Sequence, residues 1–141
     1  MSSIDTFECK SLQDTQRAGE IVASQLSFPS CVFIQGDMGA GKTTLCKSII
    51  NALGYPGSVT SPTYTLIQEY PVDQKIIYHM DLYRLNDPEE LEYLALSDLY
   101  AANSIFLIEW PEKGGRYLPK NTHEIEICSD LHRRITFSKI E

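Results

Sequence analysis

The sequence predicts an α/β fold in three layers, a β-sheet of mixed strand direction flanked by helices. Three observations predict it. Helical and strand patterns alternate along the 141 residues. Two segments, CVFIQ (31–35) and SIFLIEW (104–110), are short apolar runs rich in β-branched and aromatic residues, the mark of buried strands. The closing pair, HEIEICSD and RRITFSKI, alternates clearly around a polar turn. The order read along the chain is α-β-α-β-β-α-β-β-β, which fits a mixed sheet with helices packed against it.

The elements follow from local chemistry. Ser11 can cap a helix whose first turn carries Asp14, and Leu12, Ala18, Val22 and Leu26 recur at helical spacing, giving an amphipathic helix over 12–26. The strand 31–35 runs into a glycine-rich loop, and KTTLCKSIINAL (42–53) follows with Leu45, Ile49 and Leu53 on one face, stopped by Gly54. TYTLIQEY and KIIYHMDLY flank the turn-like PVDQ and predict a hairpin or paired strands. Asp87-Pro88-Glu89-Glu90 opens a helix with a capping Asp, a first-position Pro and acids in the first turn, running through LEYLAL. A further turn or helix covers DLYAAN, and Pro111 ends the strand over 104–110. No repeat or linker interrupts the chain, which reads as one domain, 1–141.

Composition narrows the function classes. Hydrophobic residues are 43% and charged residues 22%, as in soluble globular proteins. No apolar run approaches a membrane span, and MSSIDTFECKS lacks the basic flank and apolar core of a signal peptide, so a cytoplasmic location is the default expectation. Cys9, Cys31, Cys46 and Cys128 are scattered without a C-x-x-C pair, which argues against a zinc site or a disulfide framework. Cys31 and Cys46 fall in apolar runs and read as small buried hydrophobes. The net charge of −7 makes the chain a poor independent binder of nucleic acid. A role in a nucleic-acid process would run through a protein partner.

The chemistry begins at GDMGAGKTT, residues 36–44, which fits G-x-x-x-x-G-K-[ST] with Gly36, Gly41, Lys42 and Thr43 in the fixed places. Glycines at 36, 39 and 41 permit positive φ and let backbone N–H groups approach a triphosphate, and the following helix adds its N-terminal partial charge. Asp37, Met38, Gly39, Ala40, Gly41, Lys42, Thr43 and Thr44 form the nucleotide-binding loop, with Lys42 bridging the β- and γ-phosphates and Thr43 on Mg²⁺. Strand, loop and helix occur in the order such a loop requires, so the fold class is P-loop NTPase-like.

A phosphate loop needs a second Mg²⁺-directed acid, normally at the end of a neighbouring strand. Glu109 ends an apolar strand and fills that position, although any buried strand can end in an acid. Asp81 ends the other apolar strand, where it can orient an attacking water, reach Mg²⁺ through a water or pair with Arg84. SVTSPTYT (58–65) carries hydroxyls at Ser61 and Thr63, with Pro62 holding Ser61 extended. It reads either as a nucleotide-sensing loop or as an ordinary polar connection. His79, His123 and His132 lack metal-ligand spacing, and His79 reads as a packed, hydrogen-bonded histidine.

Taken together, GDMGAGKTT, SPTYTLIQEY, HMDLYRLNDPEELEYL and LIEWPEKG resemble, in order, the motifs of the TsaE family. Those are the bacterial ATPases required for threonylcarbamoyladenosine modification of tRNA. The resemblance runs from about Ser11 to Ile140. It implies Thr43 and Glu109 as Mg²⁺ ligands, Asp81 as a catalytic or metal-supporting acid, and Thr60 to Tyr64 as the nucleotide-responsive loop. It implies that Trp110 is the aromatic following the metal-binding acid, and that Ser11, Thr15 and Arg133 lie near the base or ribose. Met38 and Met80 replace residues commonly Leu and Phe, and Thr60 stands where Lys is frequent.

The resemblance further implies an ATP- and Mg²⁺-binding subunit associating with TsaB and TsaD, with tRNA reached only through that complex. It also implies that TsaD carries out the transfer and that hydrolysis by this subunit resets the assembly. No arginine finger stands among the motifs, so turnover in isolation is expected to be slow. Two other readings stay open: a stand-alone small-molecule kinase, for which no arginine-bearing lid is visible, and a nucleotide-gated binding module with little hydrolysis. A GTPase is disfavoured because no N-K-x-D guanine signature occurs.

Overall fold

The computed structural model describes residues 4–62 and 66–140. Among the described residues seven strands form one sheet: β1 (Ile4–Cys9), β2 (Ser30–Gly36), β3 (Ile67–Val72), β4 (Lys75–Asp81), β5 (Ser104–Glu109), β6 (His123–Ser129) and β7 (Arg133–Lys139). Their order across the sheet is β1-β7-β6-β2-β5-β4-β3. The centre is parallel, β2 pairing with β5 and β6, and β5 with β4. The flanks are antiparallel, through β6–β7, β1–β7 and the β3–β4 hairpin. The expected mixed α/β architecture is therefore present.

The period of two along each strand sorts the core into two layers. Val32 and Ile34 of β2, Ile77 of β4, and Ile105 and Leu107 of β5 face one side of the sheet. There they meet Val22 of α1 (Leu12–Gln25) and Leu45, Ile49 and Ile50 of α2 (Lys42–Ala52). Gly19 of α1 lies against Ser48 of α2, where a Cβ would come within 2.4 Å of the serine Cβ. Cys31, Tyr78, Met80, Phe106 and Ile108 face the other side, under a layer of short 3₁₀ turns and α3 (Leu96–Leu99) that contributes Leu91 and Leu96. Each fully buried Leu, Ile or Phe here contributes roughly 1.5–3 kcal/mol of apolar burial. The same parity continues past these residues. His79 and Asp81 follow Ile77, and Glu109 follows Leu107, so all three point to the α2 side at the carboxyl ends of their strands.

Three local expectations are corrected. The segment Ile4–Cys9 is a strand that the sequence reading left unassigned. It is an edge strand in which exposed residues alternate with half-buried or buried ones, and its partner β7 lies more than a hundred residues away. The helix read through LEYLAL is instead a 3₁₀ turn over Pro88–Leu94. Asp87 caps it as expected, accepting from Glu89 N–H at 3.0 Å, but Ala95 takes φ 49° and breaks the run. DLYAAN then combines the end of a short helix, Leu96–Leu99, with a turn at Ala102 and Asn103, the turn or helix expected there. The hairpin between β3 and β4 turns more tightly than PVDQ suggested, over Asp73 and Gln74, with Asp73 at φ 56°. Aspartate tolerates that conformation better than most residues.

Candidate nucleotide and metal site

The glycine loop joins β2 to α2 at the carboxyl end of the central strands, the usual ligand position in open α/β sheets. Two of its glycines are required by the backbone. Gly39 sits at φ 79°, and Gly41 at φ 101° immediately before α2. Ala40 N–H donates to the Asp37 carbonyl at 3.0 Å and closes the turn. No side chain caps α2, whose N-cap is Gly41, so its first-turn N–H groups and N-terminal partial charge face the loop. That is the chemistry of an anion cradle.

Lys42 is buried, 5% exposed, at the floor of the cleft. Its ammonium donates to the Gly36 carbonyl and to the Asp37 carbonyl (3.1 Å), and lies 4.0 Å from the centroid of the Trp110 ring. Burial pushes its pKa below the ordinary lysine value, opposed by the Glu109 and Asp81 carboxylates. Trp110 itself takes φ 58°, an uncommon conformation for a bulky residue, and its ring also meets Tyr83 at 5.1 Å between centroids.

The two groups expected to share a cation are adjacent. Thr43 Oγ1 lies 3.1 and 3.2 Å from the two carboxylate oxygens of Glu109 and donates to that group. Glu109 is 2% exposed at the end of β5. His79 Nε2 approaches its Oε2 to 2.6 Å. Cys46, one turn beyond Thr43, completes a buried group with His79 and Glu109. Its thiol is raised well above the usual range, first by burial and then by the neighbouring carboxylates. A hydroxyl and a carboxylate are hard oxygen donors of the sort Mg²⁺ takes, usually retaining several waters. The donor set present therefore fits that ion.

Asp81 is level with Glu109 across the β4–β5 ladder. Its Oδ1 accepts from Tyr83 N–H at 3.0 Å, and among the described residues it forms no ion pair with Arg84. Burial raises its pKa, with Tyr83 N–H opposing and Glu109 reinforcing the shift. Met38, Gly39, Gly41, Lys42, Thr43, Thr44, Asp81, Glu109, Trp110 and Arg133 thus line one open cleft of about 330 Å³.

Asp37 is exposed at the loop's start and Ala40 is buried beneath it. Ser11 is the N-cap of α1, accepting from Asp14 N–H at 3.1 Å. It lines a neighbouring groove of about 410 Å³ that shares Thr44 and Arg133 with the first cleft. Thr15 is fully buried and reaches neither cleft; its hydroxyl instead accepts from Arg133 Nη1 at 2.9 Å. Arg133 lies across Gly41, where a Cβ would sit 2.6 Å from the guanidinium carbon. It therefore touches the phosphate loop as well as the adjoining groove. Its Nε is buried without a partner among the described residues.

The segment before β3 is described only to Pro62, so Thr63 and Tyr64 of the expected nucleotide-responsive loop lie outside the described residues. Thr60 is held by Tyr70, whose hydroxyl accepts from Thr60 N–H (3.2 Å) and donates to Thr60 C=O (2.9 Å). The groove residues Leu131 and His132 were not anticipated, because they sit in a polar turn with no local signature. No helix among the described residues is long and apolar enough to cross a membrane.

Comparison with known proteins bears on this geometry. The family model described as "Threonylcarbamoyl adenosine biosynthesis protein TsaE" matches residues 9–135. Among curated proteins named tRNA threonylcarbamoyladenosine biosynthesis protein TsaE, that of Bacillus subtilis is 34% identical over 91% of this chain and 81% of its own length. That of Treponema pallidum is 36% identical over 90% of this chain and 95% of its own. The Haemophilus influenzae protein of that name is 54% identical over 63% of this chain, a match spanning only 56% of the relative. Among solved structures, the crystal structure of YdiB from Bacillus subtilis superposes with a TM-score of 0.78 at 26% identity, covering 100% of this chain and 88% of the other.

Proposed function

The chain belongs to the TsaE family, and from that premise we propose that it binds and hydrolyses ATP with Mg²⁺ in tRNA threonylcarbamoyladenosine biosynthesis. The observation that carries the ATPase reading is the convergence of four features in one cleft. These are an uncapped helix N-terminus, a positive-φ glycine loop, the Lys42 ammonium and the Thr43–Glu109 oxygen pair. The names of the relatives support the tRNA role, and the motif resemblance supports TsaB and TsaD as partners.

In this reading the loop N–H groups and the α2 N-terminus bind the β- and γ-phosphates. Lys42 exchanges its two carbonyl partners for phosphate oxygens. Thr43 and Glu109 hold the cation, and Mg²⁺ when bound neutralises charge developing on the phosphate oxygens. Asp81, at the cleft wall level with Glu109, orients the attacking water. Arg133 and Ser11 border the groove that continues past Thr44, which suits the nucleoside end. Among the described residues lining the cleft Arg133 is the one arginine, so hydrolysis in isolation is slow, and the partner complex either supplies or reshapes what is missing.

Two measurements test this. Lys42→Ala and Glu109→Ala should each abolish phosphate release while leaving the far-UV spectrum unchanged; full activity in either refutes the site assignment. A pull-down with TsaB and TsaD, with and without ATP, followed by a tRNA modification assay, tests the role. Failure to associate and to support repeated modification would leave an ATPase without this function.

A further inference from the structure

We propose that His79 is a positioning residue for the metal-directed acid: its Nε2–H anchors one oxygen of Glu109, so that the carboxylate and the Thr43 hydroxyl stand preassembled as a cation seat. This rests on the magnesium reading above and deepens it.

The placement is set by the sheet. β4 and β5 run parallel with His79 beside Leu107 and Asp81 beside Glu109. His79 is therefore the diagonal neighbour of Glu109 on the face turned to α2, within reach of a long side chain. The imidazole is completely buried, and Nε2 lies 2.6 Å from Glu109 Oε2. An ionised carboxylate only accepts, so Nε2 carries the proton and donates. The other ring nitrogen, Nδ1, is buried with no hydrogen-bond partner among the described residues. An apolar side chain would fill this space without burying an unpaired nitrogen. Among the described residues the Glu109 bond is the one side-chain hydrogen bond of His79 that offsets it.

The bond also bears on geometry. Thr43 Oγ1 sits almost equally far from both carboxylate oxygens, at 3.1 and 3.2 Å, and does not by itself choose between them. His79 engages Oε2 alone. That fixes the carboxylate plane on a side chain which otherwise rotates about its terminal bond, and hydrogen-bonded carboxylates of this kind are how outer groups orient metal ligands. A thiophilic metal site made from Cys46, His79 and Glu109 does not suit the arrangement. An ion about 2.0–2.1 Å from both Nε2 and Oε2 would see them only about 80° apart, far from tetrahedral.

The test uses Trp110, the chain's one tryptophan, as the reporter of ATP uptake, since it lines the same cleft. Mg²⁺ is titrated at fixed ATP into wild type, His79→Leu and His79→Gln, and ATP is titrated separately in EDTA. His79→Leu should raise the half-saturating Mg²⁺ concentration about 10–100-fold while metal-free ATP affinity stays unchanged. His79→Gln, which keeps an N–H donor, should restore most of it. A wild-type Mg²⁺ response in folded His79→Leu overturns the inference alone. A wild-type protein whose ATP uptake ignores Mg²⁺ overturns the magnesium reading and this inference with it. Nitrogen-15 spectra of the wild-type imidazole need no variant: the Nε2–H tautomer supports the assignment, and the Nδ1–H tautomer overturns it.

Discussion

Gly41→Ala tests how tightly the phosphate loop is tied to the start of β7. The substitution acts twice. Alanine at φ 101° is strained, at a cost of about 1–3 kcal/mol. The new Cβ would also fall 2.6 Å from Arg133 Cζ and 2.7 Å from Nε, so the guanidinium must leave Gly41. Moving it breaks the 2.9 Å bond from Nη1 to the buried Thr15 hydroxyl, a charge-assisted contact of about 1.5–3 kcal/mol. The expected total is about 2.5–6 kcal/mol, a large part of the stability of an ordinary domain. Equilibrium urea unfolding without nucleotide measures it. A double-mutant cycle separates the two parts, because in an Arg133→Ala background only the backbone cost remains. The coupling energy should then be about 1.5–3 kcal/mol. Additivity within about 0.5 kcal/mol would refute the contact between loop and β7.

Two further outcomes follow from the site. Burial raises the pKa of Asp81, so its ionised form opposes folding at neutral pH, and that opposition is absent below the ordinary aspartate value. Asp81→Asn should therefore unfold at higher urea than wild type at pH 7, with the difference closing as pH falls through the carboxylate range, while phosphate release is lost; a difference independent of pH would contradict the burial argument. Tyr70→Phe removes both bonds to Thr60 and should cost about 1–3 kcal/mol, with faster hydrogen exchange at the Thr60 amide and little change at β4. Unaltered Thr60 exchange would mean that the tyrosine does not hold this segment.

The parts legible in the sequence are those whose cause is local. The glycine loop is readable because its spacing is a backbone requirement; Gly39 and Gly41 take positive φ as expected, whereas Gly36 ends β2 in ordinary backbone and is needed for its close approach to the Ile127 carbonyl. Glu109 and Asp81 are readable because strand ends are marked by a change from apolar to charged residues, and parity sends both to the α2 side. The edge strand Ile4–Cys9 is not legible because its inward positions, Asp5, Phe7 and Cys9, form no apolar stripe and its pairing is with the last strand. The 3₁₀ turn at Pro88–Leu94 shares its capping signals with an α-helix, and only the turn at Ala95 separates them. Thr15 carries no sign in the sequence that it serves Arg133, since the bond joins α1 to the start of β7, more than a hundred residues later in the chain. His79 read correctly as hydrogen-bonded, but its partner is set by the β4–β5 register, which no local pattern contains.

The central claim is that backbone N–H groups, Lys42 and the Thr43–Glu109 pair together receive a magnesium-bound triphosphate. Isothermal titration of ATP into the full chain, with Mg²⁺ and with EDTA, tests it most directly. Saturable uptake strengthened by Mg²⁺, with that strengthening lost in Thr43→Val, is the predicted result. No uptake of ATP in the presence of Mg²⁺ would contradict it.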